Sequence, residues 1–113
     1  MIQRVFIISI LSLMVFFNSP TFAKDISPKT LEKYTNKISN KFTRTYCNTI
    51  QFGISDEGAL EFAIGETNKE FKNNKLNETI DYSELKEKIV YDLGDNCQVY
   101  DFSINSLDQL HLN

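Results

Sequence analysis

The sequence predicts an all-α protein: a small single domain of three helices and a short C-terminal turn, stapled by one disulfide and preceded by a signal-peptide helix. Three observations point there. Apolar residues beyond position 26 recur at spacings of three and four, the period of one helix face. The recurring stretches open on side chains suited to capping a helix. Two cysteines, Cys47 and Cys97, fall at the ends of two of those stretches.

The first 23 residues have the parts of a secretory signal. Arg4 supplies the positive charge, Val5 to Phe17 (VFIISILSLMVFF) is a 13-residue apolar run, and Asn18-Ser19-Pro20 breaks it. Thr21-Phe22-Ala23 then puts small residues at −3 and −1 of a cut before Lys24. The competing reading is a retained membrane anchor. Spanning a bilayer takes about 20 apolar residues, and this run of 13 falls short. Cleavage is expected after Ala23, releasing a single domain, residues 24–113, to the periplasm or the extracellular space. A lipid anchor is not expected, because the first cysteine is Cys47.

The first helix opens on Ser27 as N-cap and Pro28 at the first helical position, with Ile26 placed to staple onto Leu31. Its stripe is Leu31, Tyr34, Ile38, Phe42 and Tyr46, with Cys47 at its end and Gly53 as the stop. The second helix follows Ser55, with Asp56 and Glu57 in the first turn where carboxylates suit the helix dipole. Its apolar residues are Ala59, Leu60, Phe62, Ala63, Ile64 and Phe71, and small Ala59, Ala63 and Gly65 would admit a close neighbour. Residues 72–79 read as the main linker; Asn77-Glu78-Thr79 there matches a glycosylation sequon, a triplet expected by chance in an Asn-rich chain. The third helix opens on an Asp81-x-x-Glu84 capping box, with Ile80 stapling onto Leu85. Tyr82, Leu85, Ile89, Leu93 and Cys97 then form its stripe, unless Gly94 ends the helix early. Val99 to Ile104 is too apolar for a free arm and is expected to pack back over the helices, with a further turn near Ser106 to Leu110.

Two cysteines in an exported chain suggest one intramolecular disulfide. Short connections make successive helices antiparallel, so the first and third run parallel and bring both cysteines to the same end. Closing a loop of about 50 residues is worth roughly 4 kcal/mol in chain entropy.

Charge and motifs narrow the function. Arg4 is the only charged residue before the cut, so the mature chain has 11 Lys+Arg against 15 Asp+Glu, a net charge of −4. That argues against nucleic acid and against an anionic membrane surface, both of which call for concentrated basic charge. Mixed runs such as Glu84 to Lys88 read as solvated helix faces. There is no Cys-x-x-Cys, no Gly-rich phosphate loop, no Gly-x-Ser-x-Gly and no His-Glu-x-x-His, and the only histidine is His111. Asp56, Glu57 and Glu61 read better as a helix start than as paired catalytic acids. Asp92, Asp95 and Asn96 around Gly94 lack the ligand spacing of an EF-hand. No catalytic, cofactor or metal site is expected, and the protein is not expected to be an enzyme. Most aromatics fall on the buried stripes. Phe52, in a turn beside Gly53, and Tyr91, off the third stripe, are the residues expected in any contact patch.

The stretch Tyr46-Cys47-Asn48 through Gly53-Ile54-Ser55-Asp56-Glu57-Gly58-Ala59-Leu60, with a second cysteine after a further helix, resembles small exported proteins of marine picocyanobacteria. That resemblance implies a signal peptide, two cysteines and helices, and no particular activity. In its helical layout and its two cysteines the chain is also similar to the HdeA-type periplasmic acid chaperones, which implies acid-induced loosening and exposure of apolar surface. The expectation is thus an exported, non-enzymatic interaction or binding module with a protein partner. The alternative is a periplasmic acid-stress chaperone. An enzyme would need a polar cleft that the sequence patterns lack.

Overall fold

A computed structural model describes residues 26–112; the predicted signal segment and the expected cut after Ala23 lie outside them. The described residues are helical, without strands: α1 (Pro28–Gln51), α2 (Asp56–Phe71), α3 (Tyr82–Cys97) and two 3₁₀ segments, Lys75–Glu78 and Ile104–Gln109. Each long helix starts as its sequence predicts. Ser27 Oγ accepts from the Lys29 N–H at 3.1 Å, Ser55 Oγ from Gly58 at 3.1 Å, and Asp81 Oδ1 from both Ser83 and Glu84 at 3.0 and 3.2 Å. These bonds satisfy amides that have no partner within the helix.

The ends are equally local. Gly53, at φ 89°, turns the chain out of α1 in a conformation that suits glycine. α3 does not stop at Gly94. It runs to Cys97 and ends on Gln98 in the left-handed region, φ 57°, whose N–H bonds back to Gly94. Gly94 instead makes room for the Tyr100 ring, which lies 3.2 Å from where a Cβ would be.

α1 is the central element, and both other helices pack on it. α2 returns antiparallel, so Tyr34 near the start of α1 meets Phe71 at the end of α2, edge to face with centroids 5.7 Å apart. α3 runs parallel to α1. Ser39 Oγ donates to Asp92 at 2.6 Å, and further along Cys47 and Cys97 are bonded as a disulfide with Cα atoms 5.8 Å apart. The predicted topology and the predicted pairing are both present. Tyr34, Ile38, Phe42 and Tyr46 from α1, Ala59, Ala63, Ile64 and Phe71 from α2, and Leu85, Ile89 and Leu93 from α3 are buried.

Two positions on α2 differ from expectation. The buried row of α2 is Ala59, Ala63, Thr67 and Phe71, at a spacing of four, with Ile64 buried beside it. Phe62 lies at the edge of that row, so its ring is 53% exposed. A Cβ on Gly65 would meet nothing within 4 Å; this glycine faces out, and only the alanines take the close approach.

The tail is more than a cover. Phe102 sets its ring edge-on against Phe42 and Tyr46, and Leu107, Leu110 and Leu112 are buried. Burying one leucine contributes about 1.5–3 kcal/mol, so the three together weigh at least as much as the roughly 4 kcal/mol of the disulfide loop. The tail reaches α3 and α2 on the way and is tied at its far end. Leu112 O accepts from Asn73 N–H at 3.0 Å and from Asn77 Nδ2 at 2.8 Å.

Asn77 is the polar hub of that end. It is 1% exposed, donates from Nδ2 to Phe71 O at 2.9 Å as well as to Leu112 O, and accepts the Tyr34 hydroxyl on Oδ1 at 2.5 Å. Both amide hydrogens are engaged, so in the folded chain the sequon is a structural knot and not a surface glycan site.

Candidate functional site

The chemistry-bearing residues do not converge. Among the described residues, no three His, Cys, Asp or Glu side chains lie close enough to hold a metal. Asp56, Glu57 and Glu61 are exposed around the start of α2. Asp92 is buried, but the Ser39 hydroxyl and the Lys88 ammonium, at 2.6 and 3.4 Å, hold it as a link between α1 and α3. Asp95 and Asn96 stay exposed, and Asn96 Nδ2 bonds to the Asp92 carbonyl at 2.8 Å. His111 is exposed, and its backbone N–H bonds to Asn68 Oδ1 at 3.0 Å.

Three tyrosines have perturbed hydroxyls, each for a reason of packing. Burial pushes Tyr34 up to about 12, with the neighbouring Tyr82 adding to it. Tyr46 is raised by burial and then by Asp56 and Asp101, and Tyr82 by burial. Raised phenols are protonated at neutral pH; Tyr34 donates its proton to Asn77 Oδ1, whereas the Tyr82 hydroxyl has no partner among the described residues.

What the fold does assemble is surface. Phe52, at the C-terminal cap of α1, is 85% exposed because the Gly53 turn throws it outward. Ile54 folds onto the start of α2, its Cγ2 lying 2.9 Å from where a Cβ on Gly58 would be. With Phe62 these side chains rim an open groove of about 330 Å³, floored by Thr45, Asn48 and Thr49 and edged by Glu66. The groove runs on between α1 and α2 into a second stretch of about 500 Å³, which shares Thr45 and Asn48 and is lined by Lys37, Asn40, Lys41, Arg44 and Glu70. Its walls are an apolar half toward the disulfide end and a cationic half below it. Lys41 is tied to Glu70 at 3.3 Å; Lys37 and Arg44 are exposed.

Tyr91 is elsewhere. It is 70% exposed on the outer face of α3 and lines a separate hollow of about 320 Å³ with Val90, Gly94, Asp95, Val99 and Tyr100, the last 79% exposed. The two residues expected in a contact patch are both on the surface, but they belong to two patches that share no lining residue.

Sequence reasoning missed the cationic half. The signal was present: α1 has Lys29, Lys33, Lys37, Lys41 and Arg44 at spacings of 4, 4, 4 and 3, and Glu32 as its only acid. A net charge averaged over the chain conceals a helix of opposite sign. Ile54 and Phe62 were missed because the groove forms only when α2 folds back on α1. No helix among the described residues is long and apolar enough to cross a membrane. No protein-family model matches this chain, and neither a curated protein nor a solved structure matches it.

Proposed function

We propose that this protein is an exported, non-catalytic interaction module whose contact surface is the groove between α1 and α2. The observation that carries the reading is the exposure of Phe52, Ile54 and Phe62 around one groove. Large apolar side chains scattered singly need no explanation, but three rimming one groove indicate a binding surface. Rigidity supports it as well: Thr49 and Phe52 follow Cys47 closely on α1, and the disulfide fastens that end of the helix to α3. Export is supported by the cystine itself, which persists in oxidising compartments, and by the secretory pattern of residues 1–23.

The test is affinity capture from the exported fraction of the native host, with the disulfide intact, comparing wild type with Phe52→Ser/Phe62→Ser. A partner held by the wild type and lost by the variant supports the reading; identical captures by both would remove the groove from it. The acid-chaperone alternative is separated by a client-aggregation assay at low pH, where absence of protection eliminates it.

A further inference from the structure

We propose that the groove is filled by a second copy of this chain, through the outer face of that copy's α3. This rests on the reading of the groove as a contact surface and names its occupant. The two surfaces are complementary in charge and in register. The groove is cationic where Lys37 and Arg44 line it and apolar where Phe52, Ile54 and Phe62 do. The outer face of α3 has the reverse charge and the same order. Glu84, which also edges the hollow between α1 and α3, and Glu87 are exposed toward its N-terminal end, and the Tyr91 and Tyr100 rings stand exposed beside Val90 toward its C-terminal end.

The spacings agree. On α1 the middle of the cationic half, between Lys37 and Arg44, and the middle of the apolar half, between Thr45 and Phe52, are 8 residues apart, about 12 Å at helical rise. On α3 the middle of the Glu84–Glu87 pair and the middle of Val90–Asp95 are 7 residues apart, about 11 Å. Laid parallel, the two faces meet acid on base and aromatic on aromatic together. Three further lysines are paired within each copy: Lys41 by Glu70, Lys88 by Asp92, and Lys86 by Asp108. One mismatch is left, since Asp95 and Glu66 put acid at the edges of both apolar hollows.

The groove of one copy takes a different surface of the next, so the contact is heterologous. It builds rings or filaments, not a closed two-fold dimer. Because charge sets the register, assembly weakens as salt rises.

The experiment is sedimentation velocity on the disulfide-intact protein over a concentration series, with circular dichroism as a check on folding. Wild type is expected to give species larger than a dimer as concentration rises, fewer of them at high salt. Lys37→Glu/Arg44→Glu and Glu84→Lys/Glu87→Lys should each weaken association by at least about tenfold, since like charges then face each other. An equimolar mixture of the two variants should recover it, because each reversed face again meets its opposite. Asp95→Lys should tighten it by removing acid from one of two acidic edges. A wild type that stays monomeric throughout overturns the proposal, as does a mixture that associates no better than its components. If the protein is monomeric but Phe52-dependent capture of another partner persists, the groove keeps its role and only the occupant named here is wrong.

Discussion

Replacing Asn77 tests whether one buried amide holds the lower end of the bundle together. In Asn77→Ala three hydrogen bonds disappear: the Tyr34 hydroxyl to Oδ1, and Nδ2 to the carbonyls of Phe71 and Leu112. Each is worth about 1 kcal/mol net, and a buried group left unpaired costs about 1–3 kcal/mol. Some of the loss is recovered locally. The Tyr34 hydroxyl already lies 3.5 Å from Phe71 O, and Leu112 O keeps the Asn73 N–H at 3.0 Å. The expected destabilisation is therefore about 3 kcal/mol, a large share of the 5–15 kcal/mol typical of a domain. Asn77→Asp sharpens the test. It preserves shape and the acceptor for Tyr34, but points a carboxylate oxygen at two carbonyls that had been 2.8 and 2.9 Å from a donor. At neutral pH it should cost at least as much as alanine, because a buried charge then lacks its partners. Urea unfolding followed by circular dichroism measures both, and a Tyr34→Phe/Asn77→Ala cycle should show about 1 kcal/mol of coupling. An alanine variant within about 1 kcal/mol of wild type, or an aspartate variant milder than alanine, would refute the hub.

Reducing the disulfide, or replacing Cys47 and Cys97 by serine, should cost about 4 kcal/mol for a separation of 50 residues, read as the shift in urea midpoint with and without reductant. Tyr34 should ionise last in an alkaline titration at 295 nm, near its value of about 12 against the usual 10. The sign follows: its contribution, on the order of 2–3 kcal/mol, is fully present below pH 10 and is lost as pH rises through 12. A phenol titrating with the bulk would contradict the burial. Gln98→Gly should raise stability by about 0.5–1 kcal/mol, because glycine takes the left-handed conformation at φ 57° without a Cβ penalty; a loss in thermal midpoint would mean that the glutamine side chain has a role of its own.

The helices were legible because their information is local. Ser27-Pro28, Ser55 and Asp81 mark helix starts by chemistry that acts within three residues, and Ile38, Phe42, Leu85 and Ile89 sit on a period any window can detect. From those followed the parallel pair and the disulfide, since both cysteines lie near helix ends. What stayed hidden depends on elements meeting. Nothing around Leu107, Leu110 and Leu112 is periodic enough to announce that they enter the core. Asn77, in a polar linker, looks like any turn residue until Tyr34 and Leu112 arrive from 43 and 35 positions away. Phe62 fits an apolar list but sits one edge off the buried row. The candidate groove was half visible: Phe52 was picked out for lying in a turn, while the lysine row beside it was averaged away by carboxylates on other faces.

The tail also separates completion of the core from the cross-link. Ribosomes deliver Leu107, Leu110 and Leu112 after all three helices, and those leucines complete the core. Cys47 and Cys97 are both synthesised before them. Cross-linking the helices therefore does not by itself complete the core, because the strap lies beyond both cysteines. An oxidised but unstrapped chain would expose Phe42 and Tyr46, against which the Phe102 ring later closes. Oxidative capture and hydrophobic closure thus rest on different segments, and a chain that loses the residues beyond Cys97 keeps the first without the second.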